Sequence, residues 1–387
     1  MRQWFSPYFP ARRTKGSEAG RRRLVVHFNS KGSAIMMVRK VETAVALAAA
    51  GAAAFAALAA PGTANAACAS FWGLGNSAQC TSTFGSVAIA TGAGATAAST
   101  GIGAAIALGD GSIAKSDGFF TLALASGKNT SGTARGVGSI AADIGDNTKP
   151  GSGQAVAVGW FNKALNVGGD NTAIVTSGLT PRLDLGKQDI SIGNNSVVNV
   201  GTGNQAFVRD GFSTGVYQIG DGNIGAGGGV QSNLVQIGND NSSRAKVSTG
   251  APAKVGYGPK PNIAFGLGAT NVVIGNRNSA NAVGNLVLAN TFGNDNKNNV
   301  TGVPGSGPLG QFAPNLSLSN VFGNGNRVRV RGNGNITSVF GNQNRVSALG
   351  NINLTSVLGH RSTVRSFGDG NVNASLGDDK TSIKSSE

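Results

Sequence analysis

The chain has 387 residues, of which 61 are Gly and 11 Pro, and its 32 Lys/Arg against 17 Asp/Glu give a formal net charge of +15. Gly plus Pro reaches about 19%, against roughly 12% in average usage. Only 13% of residues are charged and 6% aromatic, which excludes a large aromatic core, offers little material for a catalytic cleft and predicts a repetitive Gly- and Asn-rich chain.

Residues 1–35 carry Arg12, Arg13, Arg21, Arg22 and Arg23. They read as an upstream extension to a start at Met36 or Met37, or as a basic or twin-arginine targeting arm on a start at Met1. Residues 36–66 read as a secretory signal peptide. Val38-Arg39-Lys40 is its basic region, Val45 to Ala60 its apolar stretch and Ala64-Asn65-Ala66 its small-x-small cleavage site. That apolar stretch, about 16 residues, is short for a membrane span. Removal up to Ala66 leaves 22 Lys/Arg and 15 Asp/Glu, a net +7. Two cysteines in an exported chain predict one disulfide, Cys68–Cys80. Residues 67–81 are expected to cap the N-terminal end, with Phe71 and Trp72. The alternative, acylation of Cys68, lacks the preceding aliphatic residue of a lipoprotein signal.

From Ser82 onward glycines recur every nine residues. The clearest run is Gly323, Gly332, Gly341, Gly350, Gly359, Gly368 and Gly377, in units such as GNGNRVRVR, GNGNITSVF and GNQNRVSAL. A beat of 18 overlays it. Val328, Val346 and Val364 alternate with Thr337 and Thr355, and Tyr217-Gln218-Ile219-Gly220 returns as Val235-Gln236-Ile237-Gly238. Gly supplies the positive φ of a turn, and Asn tolerates the left-handed region. The alternating, β-branched residues that follow make a strand. Side chains alternate along it, so the valines of Arg327-Val328-Arg329-Val330 point inward and the arginines outward. By the same rule Ile336, Ser338 and Phe340 share one face. Leu349 and Phe367 break the simple alternation and are expected to be reoriented by a bend near the turn.

The reading is an all-β chain, a two-sided β-solenoid (β-roll) over 82–377, with nine-residue half-coils, 18-residue coils and stacked Asn ladders. Uninterrupted, it would make about 17 coils, a rod near 80 Å. Four interruptions, near 146–153, 177–184, 248–262 and 300–314, hold Pro150, Pro181, Pro252, Pro259, Pro261, Pro304, Pro308 and Pro314. Proline cannot donate to a strand ladder, so these are loops bulging from a coil. Residues 378–387 read as a polar C-terminal tail.

The Gly-Asn-x-Asn nonapeptides resemble the calcium β-roll repeats of secreted toxins, G-G-x-G-x-D-x-U-x. The sixth position here is Val or Thr where that family has Asp, so the resemblance implies the roll without its calcium ladder. Gln218-Ile219-Gly220-Asp221-Gly222-Asn223 and Gln236-Ile237-Gly238-Asn239-Asp240-Asn241 resemble curlin repeats, Q-x-G-x-x-N, which implies a self-assembling fibre subunit. Ser86–Ala114 resembles the Ala/Gly-rich head repeats of trimeric bacterial adhesins. The Ala-rich signal, the segment Cys68-Ala69-Ser70-Phe71-Trp72-Gly73-Leu74-Gly75-Asn76 through Cys80, and the VAIA-type strands after it resemble secreted repeat proteins of mycobacteria and related actinobacteria. That likeness implies a secreted or cell-surface location and names no activity.

No catalytic residue is assigned. His360 occupies an Asn position of a turn and reads as a solvated turn residue. Asp378-Asp379, a paired carboxylate at the end of the repeat, reads as a polar cap. The remaining acids are scattered, unlike the clustered carboxylates of glycan-cleaving solenoids. The Gly-x-Gly strings lack the helix a phosphate loop needs, and no Thr-x-Thr ice-binding face is visible. No metal, cofactor or specific small-molecule ligand is expected.

The polar feature that stands out is basic. Arg327, Arg329, Arg331, Arg345, Arg361 and Arg365 lie between Lys297 and Phe367, a stretch without Asp or Glu. Arg327 and Arg345, one coil apart, are expected to stack on one face. Such a ladder binds anionic glycan, teichoic-type polymer or nucleic acid; the plainer reading is solubility and edge protection. The functional expectation is an exported, non-enzymatic, cell-surface or extracellular rod with a structural or adhesive role. Its partners would be a cell-envelope polymer or a host surface, with polyanion binding and curlin-like self-association as alternatives.

Overall fold

The structure is a computed structural model that describes residues 67–176, 194–246, 268–284, 286–302 and 316–386. The signal-peptide and upstream-extension readings fall outside the described residues. So do the interruptions at 177–184 and 248–262, most of the one at 300–314, and every mature-chain proline except Pro150.

Among the described residues there are 28 strands and no helix. From Ser131 onward each strand pairs in parallel register with the strand two places further on. The chain is therefore a two-walled β-solenoid, of about 14 coils. The commonest register shift is 18 residues, as in Arg327↔Arg345, with coils of 17 (Val87↔Ala104) and 19 (Ser196↔Gly215) and longer steps, such as Lys163↔Ser196 and Asn233↔Thr270, where chain is inserted. The coils number fewer than the uninterrupted count because residues outside the strands consume chain. At ~4.8 Å per coil the rod is about 65 Å long.

Corners explain the nine-residue beat. Gly341 has φ +122°, and a Cβ there would collide with the carbonyl of Gly359 in the next coil. Only glycine lets the backbones approach this closely. The third corner residue is also left-handed, at 67° in Gly325, but the same place accepts Gln343 (60°) and Arg361 (54°), because a Cβ at Gly325 would meet the next corner only at ordinary contact distance, 3.5 Å from Gln343.

The fourth corner residue is a buried Asn. Asn326 Nδ2 donates to the Gly341 carbonyl at 2.7 Å, and its Oδ1 accepts the Asn344 N–H at 3.0 Å. This row runs Asn171, Asn204, Asn223, Asn241, Asn278, Asn296, Asn326, Asn344, Ser362, each Asn accepting the next N–H. An outer row runs in the opposite sense through Asn276, Asn294, Asn324 and Asn342, and the Asn342 N–H donates to His360 Nδ1 at 3.1 Å. These rows satisfy corner N–H groups that no strand ladder reaches. His360 is thus a member of the outer row rather than a merely solvated turn residue.

Two inward residues per strand fill the space between the walls. They are mostly Ala towards the N-terminal end (Ala134, Ala155, Ala157, Ala173) and mostly Val towards the C-terminal end (Val321, Val328, Val339, Val357). One inward column is polar: Asp143, Asn166, Asn199, Gln218 and Gln236 stack in register and are buried. Burial pushes the Asp143 carboxyl above its ordinary range, opposed by hydrogen bonds from the Ser131 N–H, Asn147 and Asn166.

The ends differ. The strand Ala67–Phe71 pairs antiparallel with Val87–Thr91, and the Cys68–Cys80 disulfide, Cα–Cα 5.8 Å, ties it down. Trp72 packs on Phe84 with ring centroids 5.2 Å apart. At the other end the expected tail is corrected. Thr381–Ser385 is a strand in parallel register with Thr363–Phe367. Its corner, Gly377-Asp378-Asp379-Lys380, keeps the left-handed third residue (Asp379, 55°) but carries Asp and Lys in place of Asn, which hid the unit.

Candidate functional site

Parallel register stacks the outward residues of successive strands into columns. On one wall Lys297–Thr301, Arg327–Arg331, Arg345–Leu349 and Thr363–Phe367 lie side by side. The first outward column is Lys297, Arg327, Arg345, Thr363. The third-position column is Asn299, Arg329, Ser347, Arg365, and the fifth is Thr301, Arg331, Leu349, Phe367. All the cations are exposed, while Val328, Val330, Val346, Ala348 and Val364 are buried beneath them. No outward position of these four strands bears a carboxylate.

A shallow groove of about 440 Å³ runs between the columns. Lys297, Arg327, Arg329, Arg345 and Arg365 line it, with Val328, Val346 and Val364 as its floor. A second depression, about 470 Å³, sits at the adjoining corner against Gly325, Arg327, Gln343, Arg345, Arg361 and Thr363. Arg327 and Arg345 serve both.

The expected set of six arginines is therefore divided. Arg327, Arg329, Arg345 and Arg365 come together. Arg331 stands in the fifth column between Thr301 and Leu349 and lines neither depression. Arg361 belongs to a corner, where it forks onto Asp379 (Nε–Oδ1 2.7 Å, Nη2–Oδ2 2.6 Å). This hydrogen-bonded pairing raises the Arg361 pKa and lowers that of Asp379. The same clasp joins Arg277 to Asp295 at another corner. Lys297 joins the array unforeseen. The segment at 303–315 sets it 30 residues from Arg327 instead of 18, so the beat does not connect them.

No family model, no curated protein and no solved structure matches the chain.

Leu349 and Phe367 need no bend: they continue the alternation and lie outward in the fifth column. The opposite wall makes the same point more strongly. Its fifth column runs Ile144, Val167, Val200, Ile219, Ile237, Ile274, Phe292, Phe322, Phe340, Leu358, Leu376, each in register with the next. The rings of Phe292, Phe322 and Phe340 stack in parallel, 4.8 and 4.9 Å apart. Ile336, Ser338 and Phe340 do share a face, and it is the outer one; Phe340 is 42% exposed, whereas Thr337 and Val339 are 0% exposed. Among the described strands of this wall Lys163 is the one charged outward residue. The habit of placing the largest apolar side chains inside conceals this wall. The signal was the small or β-branched residue between them.

Proposed function

We propose that the protein is an exported, non-enzymatic rod of the cell surface or extracellular space that adheres to an anionic polymer through its basic wall. One observation carries the reading: Lys297, Arg327, Arg329, Arg345 and Arg365 share one open groove with no carboxylate on the wall around them. Coil stacking spaces these charges at multiples of ~4.8 Å, a spacing suited to the repeating phosphate, sulfate or uronate groups of an extended chain. The groove is shallow and floored by valine, so it suits a strand-like polymer laid along it better than an enclosed small molecule. Export is supported by the disulfide, a bond of oxidising compartments. End-to-end fibre growth is less supported, because the antiparallel strand Ala67–Phe71 closes one end of the stack.

Retention on immobilised heparin or polyphosphate tests the reading. The expected result is salt-sensitive retention that Arg327→Ser/Arg329→Ser/Arg345→Ser abolishes while circular dichroism is unchanged. Salt-insensitive elution, or full retention by the triple variant, would overturn it.

A further inference from the structure

We propose that the apolar wall is the contact surface for a second copy of this chain, and that two rods pack on it antiparallel. This does not depend on the anionic-polymer reading.

The outward relief of that wall changes along the rod. In the strands from Lys163–Val167 to Ala269–Ile274 the first column is small or polar apart from Lys163: Lys163, Ser196, Gly215, Asn233, Thr270. The third-position column is bulky: Leu165, Val198, Tyr217, Val235, Val272. From Val287–Phe292 to Val372–Leu376 the order inverts. The first column becomes Leu288, Leu318, Ile336, Leu354, Val372, and the third becomes Asn290, Asn320, Ser338, Ser356, Ala374. The fifth column is apolar throughout. Each block spans five strands.

A two-fold axis along the strand direction, between Ala269–Ile274 and Val287–Phe292, reverses the rod but sets each column over its own kind. It lays the central ridge of one copy, such as Val235, into the central furrow of the other, such as Asn320. It also lays the first-column ridge of Ile336 into the furrow at Gly215. A two-fold axis along the rod would instead set first columns over fifth columns, ridge against ridge in the C-terminal block. Two β-sheets pack in this aligned manner at ~10 Å.

Size and charge agree. Ten strands at ~4.8 Å, each five residues at ~3.3 Å, present about 800 Å² per copy. The total, about 1,600 Å², is that of a stable specific interface. Monomers rarely leave so large an apolar patch bare, yet Ile219 is 51%, Phe340 42% and Leu358 53% exposed. Wall-to-wall contact brings in one cation per copy, Lys163, at its rim. Contact through the basic walls would set arginine on arginine. Association therefore selects the apolar wall and leaves both basic walls outward.

Sedimentation velocity on the purified protein tests this, alongside Phe322→Arg/Phe340→Arg and, from the other block, Ile219→Arg/Ile237→Arg. The expected result is a dimer whose dissociation constant rises roughly a hundredfold or more in either pair, with circular dichroism unchanged. If one pair fails to fold, the other decides. A monomer at every concentration, or a dimer indifferent to the folded pair, would overturn the proposal. A spin label at Thr381→Cys reads the direction: about 55 Å between labels for antiparallel rods and about 35 Å for parallel ones, from the coil and sheet spacings. The shorter distance would overturn the antiparallel arrangement.

Discussion

The basic and apolar walls are built alike inside and unlike outside. On both, inward positions hold residues of Ala-to-Val size, with a few amides, and both turn through the same Gly-and-Asn corners. The outer positions have parted: one wall gathers exposed cations, and the other presents a single charged side chain outward among its described strands. The lesson is that architecture is written in the inward and corner positions, which vary little, and interaction in the outward ones, which vary freely. A coil can therefore change its outer chemistry without disturbing its neighbours.

The sharpest way to break that comparison uses two adjacent residues. Val339→Asp should cost roughly 3–5 kcal/mol, because it buries an unpaired carboxylate. Phe340→Asp, one residue on but facing out, should cost a single rod only about 0.5–1.5 kcal/mol, chiefly the lost ring stack on Phe322. Urea melts in dilute solution measure both, and equal losses would erase the distinction between inside and outside.

Corners should matter equally to both walls. Gly341→Val meets the Gly359 carbonyl and a left-handed backbone, at a cost of about 2–3 kcal/mol or more. Loss of amide protection on one wall alone would show that the corners are not shared supports. Asn326→Ala leaves the Asn344 N–H without its acceptor and the Gly341 carbonyl without its donor, so a loss of about 1–3 kcal/mol is expected. Faster hydrogen exchange at Asn344 would locate it.

A smaller effect separates the interior from the corners by pH. Burial raises the Asp143 carboxyl above its ordinary value of 3.8, so the folded state holds that proton more tightly than the unfolded chain. Its contribution should rise as pH falls through the raised value and level off below 3.8. The corner carboxylates Asp295 and Asp379 are lowered by their arginines. Their contribution is present above the ordinary carboxylate value and fades as pH falls through the lowered ones. Thermal melts from pH 7 to pH 3 should show the wild type gaining stability relative to Asp143→Asn as the pH falls, the corner contributions being common to both. The smallest effect belongs to Arg327→Ser/Arg329→Ser/Arg345→Ser, which should leave the melting temperature unmoved.

The period was legible because it is enforced twice, by glycine where backbones nearly touch and by Asn where a corner N–H needs an acceptor. Inward Val328 and outward Arg327 followed from alternation alone. What stayed hidden did so for definite reasons. Lys297 was masked by chain inserted between coils and the last strand by Asp and Lys at an Asn corner; the partner of Arg361 lies 18 residues on, at the same corner position, and was hidden with that last unit. The apolar wall was hidden by size: Phe340 looks like a core residue until Val339 is seen to fill the narrow interior.

The most direct test of the account is the affinity for a homogeneous polyphosphate or sulfated glycan as a function of salt. Five clustered cations predict that log affinity falls against log salt with a slope of about four. The slope should shrink by about two to three units in Arg327→Ser/Arg329→Ser/Arg345→Ser and stay the same in Phe322→Asn/Phe340→Asn on the other wall. A slope near zero, or one that the apolar-wall variant changes and the arginine variant does not, would contradict it.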